Sequence, residues 1–513
     1  MDDKKVYKDK KAVKNQKMID ENRIVEAMNH LDPKLAEEVA KERDDIPEIL
    51  MKKAGREILK RVRGERKAKL GLLKITGRKL LIAATIAILI LVLTTTNLFQ
   101  KVPDVNAKAI AAPVYPEEVS FYDYEGNWEA REEIDPEFLQ NLKEFTYHTS
   151  TAVLSKSDRT ANQLFSPISL YMALALAAGS GAGETQEEIV SALFMDNMDM
   201  EAIDEQTGKL FRSLFFKNEI GSLVLSNSLW LDQSVDFKKG FLENAAENYY
   251  AHSFQVDFKD KETQAQINQW IQQSTGGLLG KENTSESISP EQVMALINTV
   301  FFQDEWTDRF NTEKTREDIF YLEDGSTVTT DFMNANFDSK AFVRGEGYLV
   351  SSLSFKNSHA MIFVLPDEGI SPYEFMEEPD RLFEVLTALY SDNSSYGEVI
   401  FKIPKFSYYS DLKLNDTLKQ LGMVKAFDME EADFSALSDF KPLYISDLVQ
   451  KTFISIDEKG CTAAAYTSIA YAGSAPPDDK AEMILNRPFL FAITGIDGVP
   501  LFVGIINNPA DSH

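Results

Sequence analysis

The feature that most constrains what this chain can fold into is a run of twenty uncharged residues, LLIAATIAILILVLTTTNLF, at positions 80–99. As a helix, such a run would extend about 30 Å, which matches the hydrocarbon core of a bilayer. A buried core helix is the alternative, and the polar residues at 94–97 keep it open. We predict a transmembrane helix over residues 80–99, which divides the chain into a short part and a long part.

The charge balance changes sign at this run. Residues 1–79 contain 23 Lys and Arg against 15 Asp and Glu, whereas the rest of the chain contains 31 against 66. Twelve of the basic residues lie at 52–79, and a basic segment beside an apolar span stays on the cytoplasmic side. The sequence therefore predicts a cytoplasmic, mostly helical tail over 1–79, and it places everything after Gln100 outside the cell.

A cleaved signal peptide is the competing interpretation of the same run. NAKA, at 106–109, offers an Ala-x-Ala pattern. However, the tail before the run is much longer than an ordinary n-region, and Ala109 lies well beyond the apolar stretch that ends at Leu93. The anchor is therefore the favoured interpretation.

The part after the span reads as a linker followed by a folded body. Residues 100–135 are acidic, contain prolines and show weak periodicity, which predicts a tether that could reach on the order of 100 Å. Residues 136–513 mix helical and extended patterns without a regular βαβ order, which indicates an α+β body. Its clearest elements are the helices PEFLQNLKEFTYHTSTAVL and ISLYMALALAAGSGAG and the strands MIFVLPDEG and LFVGIINNP.

The sequence lacks the motifs of most active sites. The histidines outside the tail and the C-terminus, His148, His252 and His359, are scattered, and no Gly-x-Ser-x-Gly, His-Glu-x-x-His or paired Cys-x-x-Cys motif is present. GSGAG at 179–183 lacks the Lys-Ser/Thr of a phosphate loop and indicates a helix end. The acidic body also argues against nucleic acid. We expect no enzymatic activity, no metal, no cofactor and no nucleic-acid partner.

One uncharged stretch stands out in the acidic body, at 461–477 within DEKGCTAAAYTSIAYAGSAPPDDK. Side chains alternate between the two faces of a strand, so one face of this stretch would carry only small or weakly polar groups, while the other places Tyr466 where its ring can stay outside. The first face consists of Cys461, Ala463, Ala465, Thr467 and Ile469. Such a strand could enter a sheet without bringing in charge. Taken alone, a flexible linker explains the stretch equally well.

Four segments, read in order, resemble the serpin family of serine protease inhibitors. They are NQLFSPISLYMALALAAGSGAGETQEEI, VMALINTVFFQDEWTDRFNTEKTREDIFY, IPKFSYYSDLKLNDTLKQLGMVKAFDMEEADFSALS and the closing NRPFLFAITGIDGVPLFVGIINNP. The likeness covers about residues 136–509. It implies a monomeric domain with helices packed on three β-sheets and an exposed reactive-centre loop, and the uncharged stretch falls at that loop.

In that family the loop acts as a substrate for the protease, which attacks one of its bonds. The protease is trapped as an acyl-enzyme, and the cut loop inserts into the main sheet. The resemblance implies inhibition of extracellular serine proteases, with cysteine proteases as a second class of partner. Counting from Glu458 places the attacked bond between Ser474 and Ala475. Gly473 and Tyr471 stay open because the loop is longer than usual. A small residue there predicts an elastase-like or subtilisin-like target, whereas cleavage after Tyr471 predicts a chymotrypsin-like one.

Two groups of residues take their roles from the resemblance. The hinge at which the loop leaves its strand comprises Glu458, Gly460, Cys461, Thr462, Ala463, Ala464 and Ala465. The polar cluster where the sheet opens comprises Ser166, Ser169, Asn298 and Gln450, with Trp306 as the aromatic at the top of the opening.

Two of these positions depart from the family pattern. Gln450 stands where a histidine is common, although its amide can still donate and accept hydrogen bonds. Cys461 stands where Thr or Ser is usual, and as a small, weakly polar residue it fits the same slot. The alternative is a redox switch, in which a capped thiol is too large to insert. As the chain's single cysteine, Cys461 forms no internal disulfide.

The single anchor and the lack of disulfides indicate a membrane-anchored serpin of bacterial type, located at the cell membrane with its serpin domain outside. The alternative function is a non-inhibitory serpin that binds a partner or relays cleavage of its loop to the cytoplasmic tail.

Overall fold

The computed structural model describes residues 105–511, without residues 106, 280–291, 447, 462–478 and 496–497. The predicted tail at 1–79, the predicted span at 80–99 and nearly all of the uncharged stretch lie outside the described residues. Among the helices of the described part, none combines the length and the apolar character needed to cross a membrane.

Five of the helices named here begin at an Asp or Ser side chain that caps them. In the described residues the helices are α1 (Tyr124–Glu129), α2 (Pro136–Leu154), α3 (Pro167–Ser180), α4 (Gly183–Ala192), α5 (Met200–Leu214), α6 (Lys239–Asn248), α7 (Lys261–Ser274), α8 (Pro379–Thr387) and α9 (Asn415–Gln420). The Asp135 side chain accepts from two N–H groups of the first turn of α2, and Pro136 opens that helix. Helix α3 ends at Gly181, so the glycine cluster is a helix end, as predicted.

The strands, in chain order, are β1 (Lys108–Ala111), β2 (Gln163–Phe165), β3 (Phe216–Lys217), β4 (Ser222–Asp232), β5 (Ala251–Val256), β6 (Met294–Glu305), β7 (Arg316–Tyr321), β8 (Thr327–Gly345), β9 (Tyr348–Ser354), β10 (Ala360–Pro366), β11 (Ser395–Pro404), β12 (Phe406–Lys413), β13 (Val449–Asp457), β14 (Gly460–Cys461), β15 (Lys480–Ile484), β16 (Phe489–Thr494) and β17 (Pro500–Ile506). The predicted helices at α2 and α3 and the predicted strands at β10 and β17 are confirmed.

The first sheet, called the main sheet below, has the order β1-β5-β4-β6-β14-β13-β12, and β3 pairs with β4. Strand β4 is antiparallel to β6 and parallel to β5. We call the end of this sheet at Glu305 and Gly460 the upper end, and the end at Met294 and Asp232 the lower end.

The second sheet has the order β15-β11-β8-β9-β10-β16-β17-β2, with β7 on β8. The resemblance implies three sheets, whereas the described part of the chain forms two. The reason is β8, which runs for 19 residues without a break. It pairs with β7 and β11 over its earlier part and with β9 at its end, so it joins what would otherwise be separate sheets.

The large hydrophobic core lies on the inner face of the main sheet, which faces the second sheet. Phe302 of β6 reaches Phe502 of β17 there, with ring centroids 6.3 Å apart. A smaller cluster on the outer face joins Trp230 and Phe254 of the sheet to Trp270 of α7. Each face of the main sheet is thus covered by its own apolar cluster.

Residues 105–135 pack against the body, which corrects the predicted tether from Val105 onward. Strand β1 pairs antiparallel with β5 at the edge of the main sheet, with Lys108 opposite Gln255. Val105 is buried in the outer cluster, and Glu132 accepts hydrogen bonds from the Arg212 guanidinium. The physical reason is that the open edge of β5 offers unpaired backbone groups, which a short apolar segment can satisfy.

Candidate functional site at the base of the uncharged stretch

The first residue of the uncharged stretch is already seated in the main sheet. Strand β14, Gly460–Cys461, lies between β6 and β13 and is antiparallel to both. Cys461 pairs with Asp304 on one side and Ile456 on the other, and its side chain is buried in the core with that of Ile456. Among the described residues, β14 is the only strand that connects β6 to β13.

Gly460 is required by the backbone at this point. Its φ is +148°, and a Cβ placed on it would lie 2.2 Å from the carbonyl oxygen of Asp304. Any side chain would therefore both strain the backbone and collide with β6. The glycine lets the chain reverse direction between β13 and β14 while staying in contact with β6.

Trp306 holds the turn that precedes β14. Its Nε1 donates to the Asp457 carbonyl at 3.0 Å, and its backbone N–H donates to the Lys459 carbonyl at 2.8 Å. The indole is fully buried and stacks on Phe355 with a centroid distance of 4.3 Å. The Asp457 carboxylate closes the turn by accepting from the N–H of Lys459 at 2.8 Å.

Glu458, at the centre of this turn, is buried and paired. Its carboxylate accepts from Thr315 Oγ1 at 2.8 Å and from the Lys405 ammonium at 3.0 Å. Burial acts to raise the pKa of Glu458, but its own backbone N–H, Thr315 and Lys405 together bring that pKa below the usual value. The turn is therefore fixed to the residue between β11 and β12 and to the segment before β7 by a carboxylate that stays ionised.

A second group of contacts, called the polar clasp below, consists of Ser166, Ser169, Asn227, Asn298 and Gln450. On the β13 side, Gln450 Oε1 accepts from the Ser166 N–H at 2.8 Å, and Gln450 Nε2 donates to the Ser166 carbonyl at 2.8 Å. Ser166 Oγ in turn donates to the Leu501 carbonyl at 2.8 Å. One amide thus satisfies both backbone groups at the start of α3.

The clasp continues from α3 to β6 and β4. Ser169 Oγ donates to Asn298 Oδ1, Asn298 Nδ2 donates to Asn227 Oδ1 at 2.6 Å, and Asn227 Nδ2 donates to the Tyr249 carbonyl at 2.6 Å. These groups are neutral, so the clasp connects β13, α3, β6 and β4 without any side chain that titrates near neutral pH.

The structure brings together many of the residues singled out in the sequence. Glu458, Gly460, Cys461 and Trp306 meet at the upper end of the main sheet, and Ser166, Ser169, Asn298 and Gln450 meet in the clasp. The rest lie outside the described residues: Thr462, Ala463, Ala464, Ala465, Tyr471, Gly473, Ser474 and Ala475. In the part of the chain that is described, no group of His, Cys, Asp and Glu could hold a metal ion.

Sequence reasoning did not identify three residues that contribute to this site. Asn227 is fully buried, and the signal for it was a single amide in the mostly buried strand SLVLSNSLWLD. Thr315 and Lys405 carry no such signal, because they reach Glu458 only through the packing of distant segments. A sequence pattern reports neighbours along the chain and within one element, not partners of this kind.

Comparisons with known proteins identify relatives of this chain. Residues 140–509 match the family described as Serpin (serine protease inhibitor). Serpin-Z2A of Triticum aestivum is 31% identical over 382 residues, covering 72% of this chain and 95% of that protein. Alpha-1-antiproteinase of Callosciurus caniceps is 31% identical over 376 residues, covering 72% and 88%. The solved structure of a thermophilic serpin, tengpin, in the native state is similar at a TM-score of 0.66 and 31% identity, covering 78% of this chain and all 100% of that chain.

Proposed function

Because the chain belongs to the serpin family, we propose that it is a suicide-substrate inhibitor of extracellular serine proteases of elastase-like or subtilisin-like specificity. The protease serine Oγ attacks the carbonyl carbon of Ser474, the peptide bond to Ala475 breaks, and the new amine leaves with a proton. An ester between protease and Ser474 remains. Insertion of the cut loop into the main sheet then traps the acyl-enzyme before water hydrolyses it. The name of the Callosciurus caniceps relative, Alpha-1-antiproteinase, supports this function.

The observation that carries the proposal is the seated strand β14. Its register sets the path of an inserting strand, because each further loop residue moves one position down β6 and β13. Continued at that register, Thr467 would lie opposite Asn298 on one side and Gln450 on the other. The inserting strand would therefore cross the polar clasp at a residue that can hydrogen bond.

The faces of the inserting strand also follow from Cys461. Since Cys461 points into the core, alternate residues Ala463, Ala465, Thr467 and Ile469 would follow it on the inner face. Those side chains are small or uncharged, so their burial carries little desolvation cost. Tyr466 would lie on the outer face.

The same register carries the attacked bond to the lower end of the sheet. Ser474 would lie three positions beyond Met294, the first residue of β6. Gly473 and Tyr471 are the alternative sites, and cleavage after Tyr471 would make the target chymotrypsin-like. In each case the bound protease would travel from the upper to the lower end of the main sheet.

We further propose that the inhibitor is a monomer of bacterial type, anchored in the cell membrane by residues 80–99 with its serpin domain outside. The basic tail before the apolar run and the lack of disulfides support this topology.

Incubation of the protein with an elastase-like and a subtilisin-like protease tests the inhibitory function. A covalent complex that survives SDS, with loss of protease activity, is expected, and sequencing the released C-terminal peptide identifies the attacked bond. A trapped cysteine protease would extend the partner range to that second class. Cleavage of the loop while the protease stays fully active would contradict the proposal and favour a non-inhibitory serpin that binds a partner or relays cleavage to the tail.

A further inference from the structure

Three large aromatic side chains lie exposed in one short segment at the start of the described chain. Tyr122, Tyr124 and Trp128, called the aromatic platform below, are 67%, 77% and 72% exposed. The other tryptophans of the chain, Trp230, Trp270 and Trp306, are all completely buried. Large aromatics are enriched among the residues that contribute most to protein–protein binding, so a cluster of them in solvent points to an unfilled contact surface.

The platform is held in place by the body. The Glu219 carboxylate accepts from Ser120 Oγ at 2.8 Å and from the Phe121 N–H at 3.1 Å. Asn127 Nδ2 donates to the carbonyls of Ser120 and Asp123, both at 2.8 Å, and the Asp123 side chain caps α1. Aromatic groups on a fixed backbone lose little conformational freedom on binding, which favours affinity.

The support of the platform is connected to the base of the reactive-centre loop. Glu219 lies in the turn between β3 and β4, at the upper end of the main sheet. In the same turn, Asn218 Nδ2 donates to Asn357 Oδ1 at 2.7 Å, and the Asn357 N–H donates to Asp304 Oδ2 at 3.0 Å. Asp304 is the residue that pairs with Cys461. The platform and the loop thus occupy the same end of the molecule.

The chemistry around the platform selects a basic partner. Glu125 is exposed within α1, between Tyr124 and Trp128, and Glu117 and Glu133 are exposed five residues before Tyr122 and five after Trp128. The Arg131 guanidinium lies 5.5 Å from the Trp128 ring centroid, which shows that this ring accepts a cation on its face. Lys and Arg side chains of a partner would find both an aromatic face and nearby carboxylates.

We propose that the aromatic platform is a docking surface for the target protease, contacted by a basic rim beside its active-site cleft while the reactive-centre loop occupies that cleft. This rests on the proposed function, since the protease must attack the reactive-centre loop. The platform increases the affinity of the encounter complex and has no part in the later insertion of the loop. It therefore selects, among proteases with the same loop preference, those with Lys and Arg at that rim.

The test compares the full chain with the double variant Tyr124→Ala/Trp128→Ala, using one basic elastase-like protease. We expect the second-order rate of loop cleavage to fall about ten-fold, with an unchanged share of cleaved chain in the covalent complex. Phe440→Ala is the matched control, because Phe440 is 41% exposed and follows Asp439, which pairs with Lys238 just past the lower end of β4. The control should keep the wild-type rate.

Acetylating the lysines of the same protease should lower the wild-type rate towards that of the double variant. Equal cleavage rates for wild type and double variant would overturn the proposal that the platform binds the protease. So would quenching of Trp128 fluorescence by brominated lipid after reconstitution of the full chain in vesicles, which would assign the platform to the membrane. If no covalent complex forms with any variant, the inhibitory function fails, while the cleavage rates still decide the platform.

Discussion

Strands β6 and β13 are held together at two places whose chemistry differs. At the upper end is the turn at residues 457–460 with strand β14, called the loop base below. It contains a glycine with positive φ and an ionised carboxylate, Glu458, which pairs with Lys405. Further down the sheet, the polar clasp uses neutral side chains centred on Ser166 and Gln450, both buried. One contact depends on backbone shape and charge, the other on fully satisfied neutral hydrogen bonds.

The difference indicates where the sheet opens first. A partly exposed ion pair contributes roughly 1 kcal/mol or less, whereas each buried polar group left without a partner costs about 1–3 kcal/mol. We therefore expect the loop base to release before the clasp. The clasp would then be the barrier that the inserting strand meets at Thr467, where a hydroxyl can replace part of the broken network.

The largest expected effect comes from Gly460→Ala. The new Cβ would meet the Asp304 carbonyl oxygen at 2.2 Å in a backbone region that L-residues avoid, so β14 must leave its position. We expect a loss of about 3 kcal/mol in the free energy of unfolding, measured by thermal unfolding. Gly240→Ala is the control, since nothing lies within 4 Å of its added Cβ, and it should change little. A native-like melting temperature for Gly460→Ala would show that β14 is not what closes the upper end.

The loop base also shows what the sequence alone could predict. The helices at Pro136–Leu154 and Pro167–Ser180 and the strand at Ala360–Pro366 follow local rules of spacing. The resemblance added the grouping of Ser169 with Asn298. Neither could show that Thr315 and Lys405 bind Glu458, because these contacts depend on how separate segments pack.

The segment at 105–135, predicted as a linker, shows what a segment's own sequence could not predict. Residues 105–135 look like a linker because their composition is acidic and their periodicity weak. Whether such a segment packs depends on whether the body offers it a free edge, as β5 does for Lys108–Ala111. That edge is a property of the assembled sheet, which the segment's own sequence does not encode.

The second prediction concerns the clasp. Gln450→Leu would leave the buried Ser166 N–H without its acceptor, and the Ser166 carbonyl would keep only the Leu170 N–H, which donates to it at 3.2 Å, so we expect a loss of about 2 kcal/mol in unfolding free energy. The variant should also insert its loop faster, because the barrier at the clasp is lower, and the latent or inserted form can be followed by native gel electrophoresis. Unchanged stability would mean that the clasp does not hold β13.

Gln450→His tests whether the neutrality of the clasp matters. A protonated imidazole carries two donors, and one of them would face the Ser166 N–H, which is itself a donor. Protonation is therefore disfavoured in the folded state, and the stability of this variant should fall as pH drops from about 7 to 5. Wild type has a fall of its own in this range, because burial lowers the pKa of His252 to about 4, but the Gln450 amide does not titrate, so the fall should be steeper in the variant. Parallel melting curves of both proteins across that range would contradict the reasoning.

The next prediction concerns the ion pair at the upper end of the main sheet. Glu458→Gln keeps a partner for Thr315 but loses the ion pair with Lys405, so we expect a loss of about 1 kcal/mol or less. Because the pKa of Glu458 is lowered in the folded protein, its contribution is present above the usual glutamate pKa and is lost as pH falls below it. The difference in melting temperature between variant and wild type should therefore shrink in acid, and it should also shrink in high salt. A constant difference would show that charge is not what the carboxylate supplies.

The smallest effect belongs to Cys461, and it separates the two interpretations of that residue. Cys461 is 3% exposed and lines a cavity of only about 10 Å³ between β6, β13 and the segment that follows α7, room for about one water molecule. Because a serine hydroxyl can keep the hydrogen bond that Cys461 Sγ donates to the Phe302 carbonyl at 3.7 Å, Cys461→Ser should change stability by less than about 1 kcal/mol and leave inhibition intact. A thiol reagent can reach the residue only when β14 leaves the sheet, so labelling should be slow in wild type and faster in Glu458→Gln, which weakens only the loop base. If a small reversible cap forms rapidly on the native protein and blocks trapping, Cys461 is a redox switch instead of a structural residue.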